Sequence, residues 1–248
     1  KARIKTFGFD NDADIHCLDM SYYQDAEDIT GLQFNLSLNH EIKTIKAIGA
    51  LGKHQLYAIM AGIIVGLEMQ IDINNIANAI ELVSYPPGRM NIVKGIKNTI
   101  ILDSSYNASP LSTHAALDTL SDFSQSFEIP RRKVAILGDM AELGKYAVSA
   151  HESVGILAGQ KCDLLITFGS LAKFINDKAN NLMPSANLIH FTILEDLLLS
   201  IESLINEGDI ILIKGSQFMR MEKIVKALML NKEEASKLLV RQELSWRN

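Results

Sequence analysis

The sequence is poor in the residues that announce several large classes of protein. It holds 2 cysteines in 248 residues, Cys17 and Cys162, far apart and without metal-ligand spacing. That excludes a disulfide framework and a thiolate metal site, and it fits a reducing compartment, so the cytoplasm is the expected location. No apolar run reaches the roughly 18 residues that span a bilayer, and no signal peptide is read at the start, so membrane insertion is not expected. Positive charge is not in excess. Lys+Arg number 24 against 29 Asp+Glu, a formal net charge of −5, and the cations are scattered, which argues against a nucleic-acid footprint. Familiar catalytic templates are missing too. There is no Gly-x-Ser-x-Gly elbow, no His-x-x-x-His pair and no Cys-x-x-Cys. Gly49-Ala-Leu-Gly-Lys-His54 lacks the spacer and the Ser/Thr of a Walker A loop.

What is present is an ordinary folding composition, 48% hydrophobic and 21% charged. The length suits one large domain or two small ones. The chain opens with Lys1 close to a strand-like stretch, which leads us to expect a piece of a longer protein. Ile4–Phe7 reads as a short strand. Residues 31–38 alternate apolar and polar, Asn39-His40 suits a turn, and 41–48 alternate again, so the pair reads as a hairpin. Residues 53–68 are apolar nearly all round, which predicts a buried helix, and 73–83 predict a second one.

Pro86-Pro87-Gly88 interrupts the pattern and marks the best boundary, giving domains 1–85 and 86–248. Beyond it, continuous apolar runs at 99–102, 133–137, 163–168, 188–191 and 210–213 alternate with helical stretches near 111–124, 148–158, 170–179, 194–206 and 219–230. Such alternation predicts an α/β domain with a doubly wound, mostly parallel sheet. The charged tail 232–248 carries Ala235, Leu238, Leu239 and Gln242 at helical spacing and is expected to be a terminal helix packed on the domain.

Ligands of doubly wound sheets sit beyond the carboxyl ends of the strands, so the loops there are the place for chemistry. Asp103-Ser-Ser-Tyr-Asn-Ala-Ser-Pro110 leads into a helix that Ser109 can cap with Pro110 at its first position, and it reads equally as a binding loop. Gly138-Asp-Met-Ala-Glu-Leu-Gly144 sets two acids, Asp139 and Glu142, between glycines. Lys214-Gly-Ser-Gln217 offers a lysine and a hydroxyl beside backbone amides that could hold an anion. Three polar loops on one sheet edge make one candidate cleft. His54 and His151 each read as a helix-start histidine or a ligand. Arg89, at the boundary, reads as a surface cation or a phosphate clamp.

Taken in order, Pro87-Gly-Arg-Met90, Asp103-Ser-Ser-Tyr-Asn-Ala-Ser-Pro110, Leu137-Gly-Asp-Met-Ala-Glu-Leu-Gly144 with His151, and Ile213-Lys-Gly-Ser216 with Met221-Glu222 resemble the ATP-dependent Mur ligases of peptidoglycan synthesis. The likeness is to the branch that adds D-Ala-D-Ala to UDP-N-acetylmuramoyl-tripeptide, and it extends from residue 1 to about residue 230. It implies that 1–85 close a central ATP-binding domain and that 86–248 form a Rossmann-like C-terminal domain. The phosphate loop and the Mg2+ ligands would then lie upstream of Lys1. The implied reaction is attack of a carboxylate on ATP, giving an acyl phosphate that the dipeptide amine captures. Charge builds on phosphoryl and acyl oxygens, a demand that cations meet.

On this likeness His54, Gln55, Arg89 and Asp103 would bind ATP, Asp103 at the ribose, while Arg89 and Lys214 would act in catalysis. Tyr106, Asn107, Ser109, Lys214 and Ser216 would line the acceptor pocket, and Asp139, Glu142 and His151 would complete the substrate set. Three departures stand out. Gln55 and Ala58 replace the family's two asparagines at the adenine, Ser104 replaces an acid, and Gln217 replaces an arginine, with Arg220 nearby. Gln55, Ala58 and Ser104 motivate a second reading, a non-catalytic Mur-fold binding or interaction domain. A third is a ligase of the folylpolyglutamate or cyanophycin synthetase type.

Overall fold

The computed structural model describes residues 4–25, 28–38, 41–243 and 246, and the chain divides into two units, Lys1–Tyr85 and Pro86–Asn248. In the first, β1 (Phe7–Gly8), β2 (Ile15–Asp25), β3 (Asp28–Leu38) and β4 (Glu41–Ile48) form a sheet in chain order. β1 pairs parallel with β2, and the other pairs are antiparallel. On β3, Leu32, Phe34 and Leu36 are buried while Gln33 and Asn35 between them are not. This alternation lays one face of the sheet on α1 (Lys53–Glu68), through Leu56, Met60 and Ile63, and on α2 (Ile73–Glu81), through Ile76 and Ile80. Asp72 caps α2 by accepting from the Asn74 N–H at 2.8 Å.

Several expectations need correction here. The first strand is shorter than Ile4–Phe7 and begins only at Phe7. β2 was not foreseen. α1 spans the expected residues but is not buried all round, since Tyr57 and Val65 are exposed. The expected turn at Asn39-His40 lies outside the described residues.

The second unit contains β5 (Asn91–Lys94), β6 (Ile100–Ser104), α3 (Pro110–Gln125), β7 (Lys133–Gly138), α4 (Ala147–Lys161), β8 (Leu164–Phe168), α5 (Ala172–Ala179), β9 (Leu188–Phe191), α6 (Leu194–Leu204), β10 (Ile210–Lys214), α7 (Glu222–Leu228) and the single turn α8 (Ala235–Leu238). The sheet order is β5-β6-β10-β7-β8-β9. Every pairing is parallel except that of the short edge strand β5, another element not foreseen. α3, α4 and α5 pack side by side. On the opposite face Leu197, Ile201, Ile224, Val225 and Leu228 of α6 and α7 join the inward side chains of the strands in one apolar cluster. The sheet is thus covered on both faces, which is why its central strands are apolar without alternation. Ser109 caps α3, with Pro110 at its first position as expected.

This topology positions the site. β10, last in sequence, lies between β6 and β7, so the loop after it is flanked by the loops after those two strands. The tail departs from expectation. Ala235 and Leu239 are buried as their spacing implies, but the helix stops at Leu238. Arg241 then takes φ 56°, a left-handed conformation that no helix continues through.

Candidate active site

At the carboxyl end of the sheet the loops after β6, β10 and β7 are stitched together through β10. The Lys214 ammonium, 4% exposed, donates to the Asn107 carbonyl at 2.8 Å and to the Ser104 hydroxyl at 3.2 Å. On the other side the Ser216 hydroxyl accepts from the Ala141 N–H at 2.7 Å, and the Ser216 N–H donates to the Asp139 carbonyl at 2.9 Å. Gly215 allows this approach, since a Cβ there would meet Met221 Cγ at 2.7 Å and the Gly138 Cα at 3.2 Å. The three expected loops therefore do form one edge.

The turn after β6 also holds the Pro-Pro-Gly segment. The Tyr106 N–H donates to the Gly88 carbonyl at 3.1 Å. Gly88 is at φ +71°, and a Cβ on it would lie 2.9 Å from the Tyr106 nitrogen. Next to it the Arg89 guanidinium lies 4.2 Å from the centre of the Tyr106 ring. Arg89, Tyr106 and Asn107 are exposed at the mouth, with Lys214 buried behind them. A cleft of about 720 Å3 opens here, with Arg89, Tyr106, Gln217 and Arg241 among its walls.

The electrostatics are uneven. Asp103 is fully buried. One oxygen accepts from the Ser105 N–H at 3.0 Å, while the other has no partner among the described residues. Burial pushes its carboxyl up to about 6, and the Glu222 carboxylate adds to the rise. Burial brings the Lys214 ammonium down to about 8, with the Arg89 charge acting in the same direction. Glu222, 2% exposed, accepts from Arg220 Nε at 2.7 Å and from Arg241 at 2.8 and 3.0 Å.

Several predicted site residues are placed otherwise than expected. Asp103 has no exposed surface to offer a ribose hydroxyl, and it shapes the turn above it instead. His151 is completely buried. Its Nε2 accepts from the Met140 N–H at 2.9 Å and its Nδ1 lies 2.6 Å from the Ala147 carbonyl, so both nitrogens hold backbone. Asp139 accepts from the Ala172 N–H at 2.6 Å at the start of α5 and from the Ser170 hydroxyl at 3.5 Å. Ser216 and Ser109 likewise serve backbone amides. Glu142 is exposed at φ 63°. In the first unit His54 is exposed at the start of α1. Gln55 turns its amide oxygen back to the Leu51 and Gly52 N–H groups at 2.7 and 2.9 Å, closing the helix start instead of presenting that oxygen to an adenine. Glu222 and Arg241 were not foreseen as site residues. Met221-Glu222 belonged to the motif set, but nothing in the order of residues revealed that Glu222 points inward or that the tail returns to meet it.

Residues 88–217 match the family described as "Mur ligase, glutamate ligase domain". The chain belongs to the Mur ligase family. Its Mur ligase relatives include the UDP-N-acetylmuramoyl-tripeptide--D-alanyl-D-alanine ligase of Bacillus subtilis (strain 168), 30% identical over 227 residues, which are 91% of this chain and 47% of the relative. The ligase of the same name from Escherichia coli (strain K12) is 29% identical over 185 residues, 73% of this chain and 38% of the relative. The chain thus spans about half the length of the curated relatives it matches. Among solved Mur ligases, MurF from Acinetobacter baumannii aligns with a TM-score of 0.74 at 22% identity, covering 90% of this chain and 46% of that one. MurF ligase from Thermotoga maritima, solved in complex with ADP, aligns at 0.71 and 22% identity, covering 93% and 48%. These two share the fold. Among the described residues, no helix is long and apolar enough to cross a membrane.

Proposed function

We propose that this chain carries the acceptor-binding part of an ATP-dependent amide ligase of peptidoglycan precursor synthesis, the kind that joins D-Ala-D-Ala to UDP-N-acetylmuramoyl-tripeptide. The observation that carries the reading is Lys214, a buried cation at the centre of the edge, tied to the turn that bears Tyr106 and Asn107. A dipeptide acceptor brings a carboxylate. An ammonium held in a dry site attracts it more strongly than one in water. Tyr106 and Asn107, exposed beside it, would orient the peptide.

Arg89 is the residue of this unit best placed to meet phosphate oxygens, being exposed and stacked on Tyr106 at the same mouth. ATP, when bound, would supply the phosphoryl group that activates the carboxylate. Arg89 and Lys214 would then stabilise charge as it develops on phosphoryl and acyl oxygens. Glu142 would rim the acceptor side, while Asp139, Ser109, Ser216 and His151 would hold the loops. Among the described residues no group of three His, Cys, Asp or Glu able to hold a metal ion is found. Cys17 and Cys162 are free and buried, and a reducing cytoplasm would keep them so.

Because the chain spans about half of its relatives, ligation by the chain on its own is not expected. Calorimetry should detect D-Ala-D-Ala binding, while the chain mixed with ATP, Mg2+, the muramoyl tripeptide and the dipeptide should release no phosphate above background. Absence of dipeptide binding would remove the acceptor-site reading. Steady phosphate release would remove the half-site reading.

A further inference from the structure

Residues beyond 217 lie outside the matched family region, yet the C-terminal segment is built into the candidate site. Its anchor is Arg241, whose side chain is 5% exposed. Nε and one terminal nitrogen donate to the same Glu222 oxygen at 3.0 and 2.8 Å. That terminal nitrogen also donates to the Ser105 carbonyl at 2.6 Å, and the other one donates to the Tyr106 carbonyl at 3.1 Å. Arg220, bound to the second Glu222 oxygen, donates to the Trp246 carbonyl as well. The segment is therefore fastened at two points to one buried carboxylate.

The consequence falls on the turn after β6. Three successive carbonyls, of Ser105, Tyr106 and Asn107, are each held by a buried cation, the first two by Arg241 and the third by Lys214. Only a planar fork can meet a carboxylate and two carbonyls at once, because a lysine offers its donors from a single point. We infer that Arg241 is a positioning residue for the Ser105–Asn107 turn, so that residues 239–243 and Trp246 form a wall of the acceptor cleft and are no mere appendage to it. The cleft agrees with this, since Leu239, Val240, Arg241, Gln242 and Trp246 line it together with Arg89 and Tyr106. The inference rests on the acceptor-site reading for its effect on binding, and on the geometry alone for its effect on the turn.

The test compares the 248-residue chain with Arg241→Lys and Arg241→Ala. Arg241→Lys keeps a positive charge opposite Glu222 but cannot reach both carbonyls. Amide hydrogen exchange is followed at residues 105–108, with the β8 residues 164–168 as the internal control, and D-Ala-D-Ala affinity is measured by calorimetry. Arg241→Lys should speed exchange at 105–108 by about tenfold, leave 164–168 unchanged and weaken dipeptide binding by about tenfold. Guanidinium ion added to Arg241→Ala should recover part of that affinity, which a general loss of stability would not allow. If Arg241→Ala exchanges faster everywhere, Arg241→Lys decides alone. Unchanged exchange at 105–108 overturns the inference whatever the affinity does. Faster exchange with affinity within about twofold of the original overturns it too. Should the unaltered chain bind no dipeptide, the acceptor reading fails by itself, and exchange at the turn still decides the role of Arg241.

Discussion

Around the end of β7, Asp139, His151 and Ser216 give their buried side chains to backbone N–H groups, and each side chain finds its partner. Around β6 and β10, on the same edge, Asp103, Lys214, Glu222 and Arg241 bury charge, and an Asp103 oxygen is left without a partner among the described residues. The first arrangement is scaffold, since a satisfied polar network rigidifies loops and leaves little for a ligand to gain. The second retains unspent electrostatic potential, as sites that bind charged groups do. Residue types that resemble each other in the sequence thus divide into supports and candidates by burial and partners alone.

The contrast can be broken first at Glu222. Its removal strands two guanidinium groups, of which Arg241 is almost wholly buried. Glu222→Ala should cost about 3–5 kcal/mol, read from denaturant unfolding followed at Trp246, the one tryptophan of the sequence. A cost below about 1 kcal/mol would mean that water already reaches the cluster.

A smaller effect of opposite sign is expected at Asp103. Its folded value of about 6 lies above the ordinary 3.8, so the folded state holds the proton more tightly. The stability this gives is full below 3.8 and is lost as pH rises through about 6. Asp103→Asn should therefore stabilise the second unit by about 2 kcal/mol near neutral pH, with the gain fading toward about pH 4. Lys214 adds a second slope. Its folded value of about 8 lies below the ordinary 10.5, so its contribution is present above 10.5 and lost as pH falls through about 8. Unfolding curves for Asp103→Asn that show the same gain at both pH values would refute the buried-charge account of this side.

Much of the architecture could be read from the residues, because a sheet covered on both faces writes itself as uninterrupted apolar runs, such as Leu164–Phe168 and Ile210–Ile213. β2 escaped because its register shifts between Cys17 and Asp19, which breaks the alternation that betrays a strand. β5 is a four-residue edge strand, too short to carry a period. The tail was expected to be helical because Ala235, Leu238 and Leu239 are correctly spaced. That spacing reports burial, which is real at Ala235 and Leu239, but it does not report the hydrogen bonds that pull Arg241 out of helical geometry. At the site, strand ends located the loops. Burial of Asp103 and His151, and the meeting of Glu222 with Arg241, depend on tertiary packing that no local pattern encodes.

The division of the edge into a binding half and a supporting half is tested most directly by measuring D-Ala-D-Ala affinity for Lys214→Met and His151→Phe side by side. The account predicts about a tenfold loss or more for Lys214→Met. For His151→Phe it predicts an affinity within about twofold of the original, alongside a stability cost of about 1–3 kcal/mol from the orphaned Met140 N–H. Full affinity in Lys214→Met, or a loss confined to His151→Phe, would contradict it.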